Sequence, residues 1–171
     1  QALKINPKSA ELHNAIGIVY KADGQREEAI MHYDQAILID PEYVEAHNNK
    51  GSVLMDGFEF NGALECFKRA LLLNSSMSKL HINLGQTYYE LEQFEEATVS
   101  FENAIQIAPQ NAEVYFYLGN SKYNLGHIEE AIDCFRSAID LNSNDAKFNM
   151  GLGKIYIEQG LWELSVNEFK Q

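Results

Sequence analysis

Cysteine is scarce in this chain: among its 171 residues it has only Cys66 and Cys134. The two do not form a Cys-x-x-Cys pair, and their spacing matches no cysteine-rich metal motif. A chain that makes so little use of cysteine is typical of a reducing compartment. We therefore expect a cytoplasmic protein in which both residues serve as small apolar side chains.

Positive charge and long apolar runs are also in short supply. Lysine and arginine number 13 against 25 acidic residues, which gives a formal net charge of −12. Nucleic-acid affinity depends on clustered Lys and Arg, so we expect no nucleic-acid partner. No apolar stretch approaches the roughly 18 residues of a membrane-spanning helix, so we expect no membrane insertion. Because 46% of the residues are hydrophobic, a sizeable core can still form.

Glycine and aromatic residues recur with a fixed spacing. The interval of 34 residues relates one set of glycines and one set of rings, namely Gly17, Gly51, Gly85, Gly119 and Gly153, and Tyr33, Phe67, Phe101 and Phe135. Self-similarity at a fixed period is the signature of stacked structural repeats. The chain is therefore predicted to be an array of similar units.

Each unit has the pattern of two helices. Leu80, Leu84 and Tyr88 share one helical face, and the second segment of each unit repeats this spacing. Turn-forming pairs such as Asp23-Gly24 separate the two segments. Glycine and alanine at fixed positions let helix backbones approach closely, while Tyr or Phe fills the space beside them.

The combined pattern resembles the tetratricopeptide repeat, a helix-turn-helix unit. The residues that carry the resemblance are Leu84-Gly85, Tyr88, Ala97, Phe101, Ala104 and Pro109. The resemblance implies an all-α fold, a right-handed α-solenoid of tandem helix-turn-helix repeats. We expect a single array with repeats at 10–43, 44–77, 78–111 and 112–145 and a partial repeat at 146–171.

Both ends of the sequence fall within repeats. Residues 1–9 match the tail of a preceding repeat, because Ala2 and Pro7 stand 34 residues before Ala36 and Pro41. At the other end, Phe169 matches Phe135, and no polar capping helix follows. Terminal repeats normally carry a polar outer face. We therefore expect a fragment of a longer array, which could associate with itself through its uncapped ends.

Three histidines, His13, His47 and His81, also follow the 34-residue spacing. A metal site would need ligand atoms about 2.0–2.1 Å from one ion, whereas packed helices lie about 8–10 Å apart. Three ligands in such a row cannot converge, so we interpret the histidines as partly buried structural rings. No metal is expected.

No catalytic motif is recognisable either. The acidic pairs, such as Glu27-Glu28 and Glu95-Glu96, open the second helices, where the helix dipole and free backbone amides favour carboxylates. The nucleophile elbow, the phosphate-binding loop and the zinc-protease motif are all missing. We expect no enzymatic activity and no cofactor.

The resemblance places the binding surface on the concave wall that the first helices line. Residues three to four apart on those helices share a face, and towards the carboxyl end this face gathers aromatic and aliphatic side chains with two lysines. Rings of this kind are natural anchors for a peptide, and amides can pair with its backbone. The predicted groove residues are Asn48, Asn49, Ser52, Ile82, Asn83, Gln86, Tyr89, Phe116, Asn120, Tyr123, Lys147, Met150 and Lys154.

The predicted function is a non-catalytic scaffold for protein–protein interactions. It would bind a peptide or helix of a partner protein in this groove, mainly over repeats three to five, with some of the rings packing instead on neighbouring repeats. Asn49 and Asn83 are similar to two rungs of the asparagine ladder in the repeat domain of O-linked N-acetylglucosamine transferases, although Ala15, Tyr117 and Gly151 break the ladder elsewhere. The alternative is thus a substrate-recruiting arm of a larger enzyme such as a glycosyltransferase.

Overall fold

The fold consists of α-helices joined by short turns. A computed structural model describes residues 9–161, and within these residues the chain forms nine helices and no β-strand. Their bounds are α1 Ala10–Ala22, α2 Arg26–Ile39, α3 Val44–Asp56, α4 Phe60–Leu73, α5 Ser78–Glu90, α6 Phe94–Ile107, α7 Ala112–Asn124, α8 Ile128–Leu141 and α9 Ala146–Glu158. Each successive pair of helices, from α1 and α2 to α7 and α8, falls inside one predicted repeat, and α9 falls inside the partial repeat. The repeat bounds themselves stay a prediction.

Local sequence signals explain where several helices begin. Ser9, Asn111 and Asp145 cap α1, α7 and α9, and each side chain accepts a hydrogen bond from a backbone amide of the first turn. These caps satisfy donors that the helix itself leaves unpaired. Glutamate pairs lie in the first turns of α2, α6 and α8, where the positive end of the helix dipole favours acidic residues.

The turns within the helix pairs share one geometry. In each turn, a backbone amide just before the second helix donates a hydrogen bond to the carbonyl five residues earlier, as in Gln25 to Tyr20 at 2.9 Å. After α9 the equivalent donor is Leu161. The preceding residue takes a left-handed backbone conformation, which glycine adopts without strain. Glycine fills this position at Gly24, Gly126 and Gly160, whereas Phe58 and Glu92 hold it with φ of 61° and 57°.

The chain divides into two compact units, residues 1–87 and 88–171. In the first unit α1 packs on α2, α2 on α3 and α3 on α4. Tyr33 and Phe67 are fully buried in this unit. A Cβ atom added at Gly17 would lie 2.6 Å from Cε1 of Tyr33, and one added at Gly51 would lie 2.7 Å from Phe67. The close glycine–aromatic packing predicted from the spacing is therefore present.

The second unit uses the same device. Here α6 packs on α7, α7 on α8 and α8 on α9. Phe135 is almost fully buried and is contacted from two sides, because a Cβ at Gly119 or Gly151 would lie 3.1 or 2.7 Å from its ring. Leu152, Ile155 and Tyr156 of α9 belong to the same core cluster.

The expected fold class, an all-α solenoid of tandem helix-turn-helix repeats, is confirmed. The predicted tail of a preceding repeat falls on residues 1–9 and lies outside the described residues except for Ser9. The match of Phe169 to Phe135, and with it the second segment of the partial repeat, also lies outside them. Cys66 and Cys134 are free thiols, and burial raises the pKa of the Cys134 thiol to about 11. Cys66 is only partly buried.

Candidate functional site

An open pocket lies between the first helices α7 and α9 of the second unit. Its volume is about 450 Å³, and its surface is mostly apolar. The lining residues are Phe116 and Asn120 of α7 and Lys147, Met150, Gly151, Lys154, Ile157 and Glu158 of α9. These positions face the pocket because they recur every three to four residues along the two helices.

The apolar wall combines a fixed ring with exposed aliphatic side chains. Phe116 is partly buried, with its ring centroid 5.6 Å from that of Phe148 and 5.8 Å from that of Phe135. These contacts hold the ring in place from the core side. Met150 is 59% exposed, and Ile157 is also exposed. The pocket therefore presents a rigid aromatic floor beneath a more adaptable rim.

Lys147 stands at one side of the pocket. Its ammonium lies 5.2 Å from the ring centroid of Phe148 and 5.6 Å from that of Phe116. It also lies 3.4 Å from a carboxylate oxygen of Glu113 and 3.4 Å from one of Asp145. Burial lowers the pKa of Lys147, but the two carboxylates more than offset this effect, and the net pKa is raised. Lys147 is therefore positively charged at neutral pH.

Lys154 provides a second cation at the pocket edge. Its ammonium lies 4.7 Å from the ring centroid of Tyr123, within the range of a cation–π interaction. The Tyr123 hydroxyl donates a hydrogen bond to the Glu158 carboxylate. This hydrogen bond raises the pKa of Tyr123, with smaller contributions from burial and from the negative charge of Glu158. The Tyr123 ring thus helps to position the Lys154 ammonium, and the Glu158 carboxylate helps to position the Tyr123 side chain.

Six of the predicted groove residues meet at this place. Phe116, Asn120, Lys147, Met150 and Lys154 line the pocket, and Tyr123 lies beside it under Lys154. The list of predicted groove residues left out Gly151, Ile157 and Glu158, which also line the pocket. A signal for Glu158 existed, because Asp56 and Glu90 occupy the same repeat position. Gly151 had no such signal, since its packing against Phe135 is visible only in three dimensions.

Tyr89, another predicted groove residue, takes part in the packing of the second unit. Its ring makes edge contacts with Phe94 and Tyr117, at centroid distances of 5.5 and 6.0 Å. Burial raises the pKa of its hydroxyl, with the charge of Glu90 the next largest cause. Much of the Tyr89 ring is therefore engaged in packing contacts within the second unit.

The asparagines of the first unit bind one another. Asn49 Nδ2 donates to Asn14 Oδ1 at 2.9 Å, and Asn83 Nδ2 donates to Asn48 Oδ1 at 2.8 Å. A longer contact of 3.4 Å joins Asn48 Nδ2 to Asn49 Oδ1, and another joins Asn14 to the Tyr43 hydroxyl. Together these residues form what we call the amide chain. Asn48 is only 7% exposed, so its side chain stabilises the helix stack.

The remaining predicted residues of the first unit are also engaged or half-buried. Ser52 Oγ accepts a hydrogen bond of 2.6 Å from Lys21, whose ammonium lies 3.0 Å from a carboxylate oxygen of Asp56. Ile82 and Gln86 are partly buried on α5. The largest group of predicted residues that lie together is thus the one at the α7–α9 pocket, where Met150 and Lys154 are exposed.

The three spaced histidines each have a separate partner. The Nε2 atoms of His47 and His81 lie 3.0 Å from the backbone carbonyl oxygens of Pro41 and Ser75, six residues earlier in each case. His13 Nδ1 lies 3.0 Å from Nδ1 of His32. In the part of the chain that the structure describes, no group of three or more potential metal ligands converges. The structural interpretation of these rings agrees with their contacts.

None of the helices within residues 9–161 is both long and apolar enough to cross a membrane. The cytoplasmic location stays a prediction.

Comparisons with known proteins identify the repeats and the fold. A family model described as TPR repeat matches residues 19–57, 85–126 and 119–160, and a second, described as tetratricopeptide repeat, matches residues 44–77. A search of curated proteins gives no significant match.

Several solved structures have a similar fold. MamA from Desulfovibrio magneticus RS-1 superposes with a TM-score of 0.90 at 20% identity, covering 94% of this chain and 91% of that chain. YrrB, described as a TPR protein with an unusual peptide-binding site, gives 0.85 at 22% identity and covers 98% and 86%. PilF from Pseudomonas aeruginosa gives 0.83 at 22% identity and covers 94% and 73%. At these identities, the similarity shows the fold.

Proposed function

Because this chain belongs to the tetratricopeptide repeat family, we propose that it is a non-catalytic scaffold for protein–protein interactions. A peptide or helix of a partner protein binds along the first helices α7 and α9 of the second unit. The α7–α9 pocket is the principal binding site.

The observation that carries this proposal is the exposed apolar surface of the pocket. Folded chains usually bury large aliphatic groups, and a concave group of them at the surface is typical of a binding site. Met150 and Ile157 are exposed here, and both line the pocket. Covering them with a partner removes apolar area from water, which favours association.

The chemistry of the lining suits a helical or extended peptide with an apolar anchor. Phe116 offers a rigid aromatic surface, and the flexible thioether of Met150 adapts to different side chains. Lys154 adds positive charge that can meet a carboxylate of the ligand, whereas Lys147 already pairs with Glu113 and Asp145. YrrB, which has the same fold, is described as having a peptide-binding site, and this supports the same class of ligand here.

The amide chain makes the first unit a weaker candidate for the main contact. The asparagines that could pair with a peptide backbone already donate and accept among themselves. A ligand would have to replace those bonds, with little net gain in hydrogen-bond energy. Binding therefore centres on the pocket.

A displayed library of random peptides tests this proposal. Peptides enriched on the wild-type chain should lose binding to Met150→Glu, because the new carboxylate places a charge in the apolar wall. The matched control is Met31→Glu on α2, since Met31 is 52% exposed against 59% for Met150. Phe116 is unsuitable for this test because its ring contacts the core.

The expected result is that the enriched peptides bind wild type and Met31→Glu equally. Loss of affinity on the order of tenfold or more in Met150→Glu corresponds to a contact worth at least about 1.4 kcal/mol. If the peptides bind wild type and both variants equally, their binding site lies outside the pocket. Circular dichroism of each variant confirms that helix content is unchanged.

A further inference from the structure

The turn between α3 and α4 carries an unusual exposed ring. Phe58 is 80% exposed and holds a left-handed backbone conformation with φ of 61°. Glycine fills the equivalent position in three other turns, at Gly24, Gly126 and Gly160, and Glu92 holds it in one more. A bulky residue is rarely found in this conformation, because its Cβ approaches the following carbonyl. Strained residues of this kind tend to occur at functional positions.

The fold of the free chain gains little from this ring. Its ring contact is an edge-on approach to Phe60, with centroids 6.1 Å apart. Most of its apolar area faces water, which is unfavourable. Both the backbone conformation and the hydration of the ring therefore disfavour phenylalanine here unless another surface covers it. Phe58 and Phe60 together form what we call the aromatic knob.

Acidic residues flank the knob. Asp56 precedes Phe58 by two residues and Glu59 follows it directly. Lys21 lies 3.0 Å from Asp56, and Arg26 pairs with Glu59, which fixes both carboxylates beside the turn. Both acidic side chains stay more than half exposed, so their other oxygens can accept from a further cation. The knob is thus an apolar projection with an acidic border.

The α7–α9 pocket has the complementary properties. It is an apolar depression of about 450 Å³. Lys154 stands at its edge with its ammonium over the Tyr123 ring and is the cation that can meet the acidic border, since Lys147 already pairs with Glu113 and Asp145. We propose that the aromatic knob of one chain inserts into the α7–α9 pocket of a second copy of the chain. The inference rests on the proposed function, because it names an occupant of the same pocket.

Such a contact joins two different surfaces and is therefore heterologous. In such a dimer one copy keeps a free pocket and the other keeps a free knob, so association can continue beyond a dimer. It differs from the self-association through array ends expected from the sequence. The net charge of −12 on each copy opposes association. Moderate salt screens this repulsion, and the experiment is therefore made at moderate salt.

Sedimentation velocity over a concentration series tests the role of the knob. The wild-type chain should associate as its concentration rises. Phe58→Gly should weaken association on the order of tenfold or more while raising the thermal midpoint, because glycine relieves the backbone strain. Leu72→Ala is the matched control, since Leu72 is also 80% exposed on the same repeat, and it should associate like wild type.

A mixing experiment tests the pairing of the two surfaces. Met150→Glu retains the knob but has a damaged pocket, and Phe58→Gly retains the pocket but lacks the exposed ring of the knob. Each variant alone should be monomeric, whereas their mixture should form a one-to-one dimer. This complementation follows only from a heterologous contact between the knob and the pocket.

Several results would overturn the inference. They are a wild-type chain that stays monomeric, a Phe58→Gly variant that associates like wild type, and a mixture that forms no dimer. If library peptides still bind the pocket in these cases, the proposed function stands and only the occupant is wrong. If Met150→Glu affects neither peptide binding nor self-association, both proposals fail.

Discussion

Replacing Tyr33 with phenylalanine is expected to make the chain more stable. The Tyr33 side chain is fully buried, and its hydroxyl has no hydrogen-bond partner among the described residues. Burial raises the pKa of this hydroxyl to about 12. The equivalent residues of the next three repeats, Phe67, Phe101 and Phe135, fill the same place without a hydroxyl.

The size of the effect follows from the desolvation of the hydroxyl group. An unpaired buried polar group costs about 1–3 kcal/mol, and the small void left by the missing oxygen offsets part of the gain. A net stabilisation of about 1 kcal/mol should result. For a chain of this length, that corresponds to a rise in melting temperature of about 2–4 °C.

The assay is thermal unfolding followed by circular dichroism, with wild type and variant measured side by side. Tyr123→Phe is the contrasting control, because its hydroxyl donates to Glu158 at an exposed site. Its loss should leave the melting temperature unchanged or slightly lower. A Tyr33→Phe chain that melts at or below the wild-type temperature would refute the reasoning, since the hydroxyl would then have a stabilising partner in solution.

Three further changes probe other parts of the packing. Gly17→Ala should lower the free energy of unfolding by about 1–3 kcal/mol in urea titration, because its Cβ would collide with the Tyr33 ring. Burial lowers the pKa of His32 below its ordinary value of 6.5. The unfolded chain therefore binds that proton more readily, and the free energy of unfolding should fall as the pH drops through 6.5, less steeply in His32→Gln. Asn48→Ala should lower the free energy of unfolding by about 1–3 kcal/mol. A double-mutant cycle with Asn83→Ala should show a coupling energy of at least about 0.5 kcal/mol. Additive effects would contradict a stabilising hydrogen bond between the two side chains.

Most of the fold could be predicted because packing constraints recur along the sequence. A glycine at position 17 and a ring at position 33 mean little alone, but their repetition every 34 residues predicts that they pack together, as the structure shows. Helical spacing likewise placed Phe116, Met150 and Lys154 on one face. These predictions needed only distances along a single helix and the period of the array.

Contacts that depend on pairing between helices could not be predicted in the same way. Asn48 is a polar amide on a first helix, and the sequence therefore predicts it as a groove residue. Only the structure shows that its Oδ1 already accepts a hydrogen bond from Asn83. The turn at Phe58 is a second example. Gly57 directly precedes it and would accept a left-handed backbone without strain, yet the hydrogen bonds of the turn place that conformation on Phe58.

The amide chain also supplies a built-in reporter of local opening. The side-chain amide hydrogens of Asn49 bridge α1 and α3, and those of Asn83 bridge α3 and α5. In a nitrogen-edited NMR spectrum each pair gives its own signals, and hydrogen exchange slows while the bond is intact. Fast exchange at Asn49 with slow exchange at Asn83 would identify fraying from the amino-terminal end. The reverse order would identify separation at α5, so two side chains suffice to time the unstacking of the first unit.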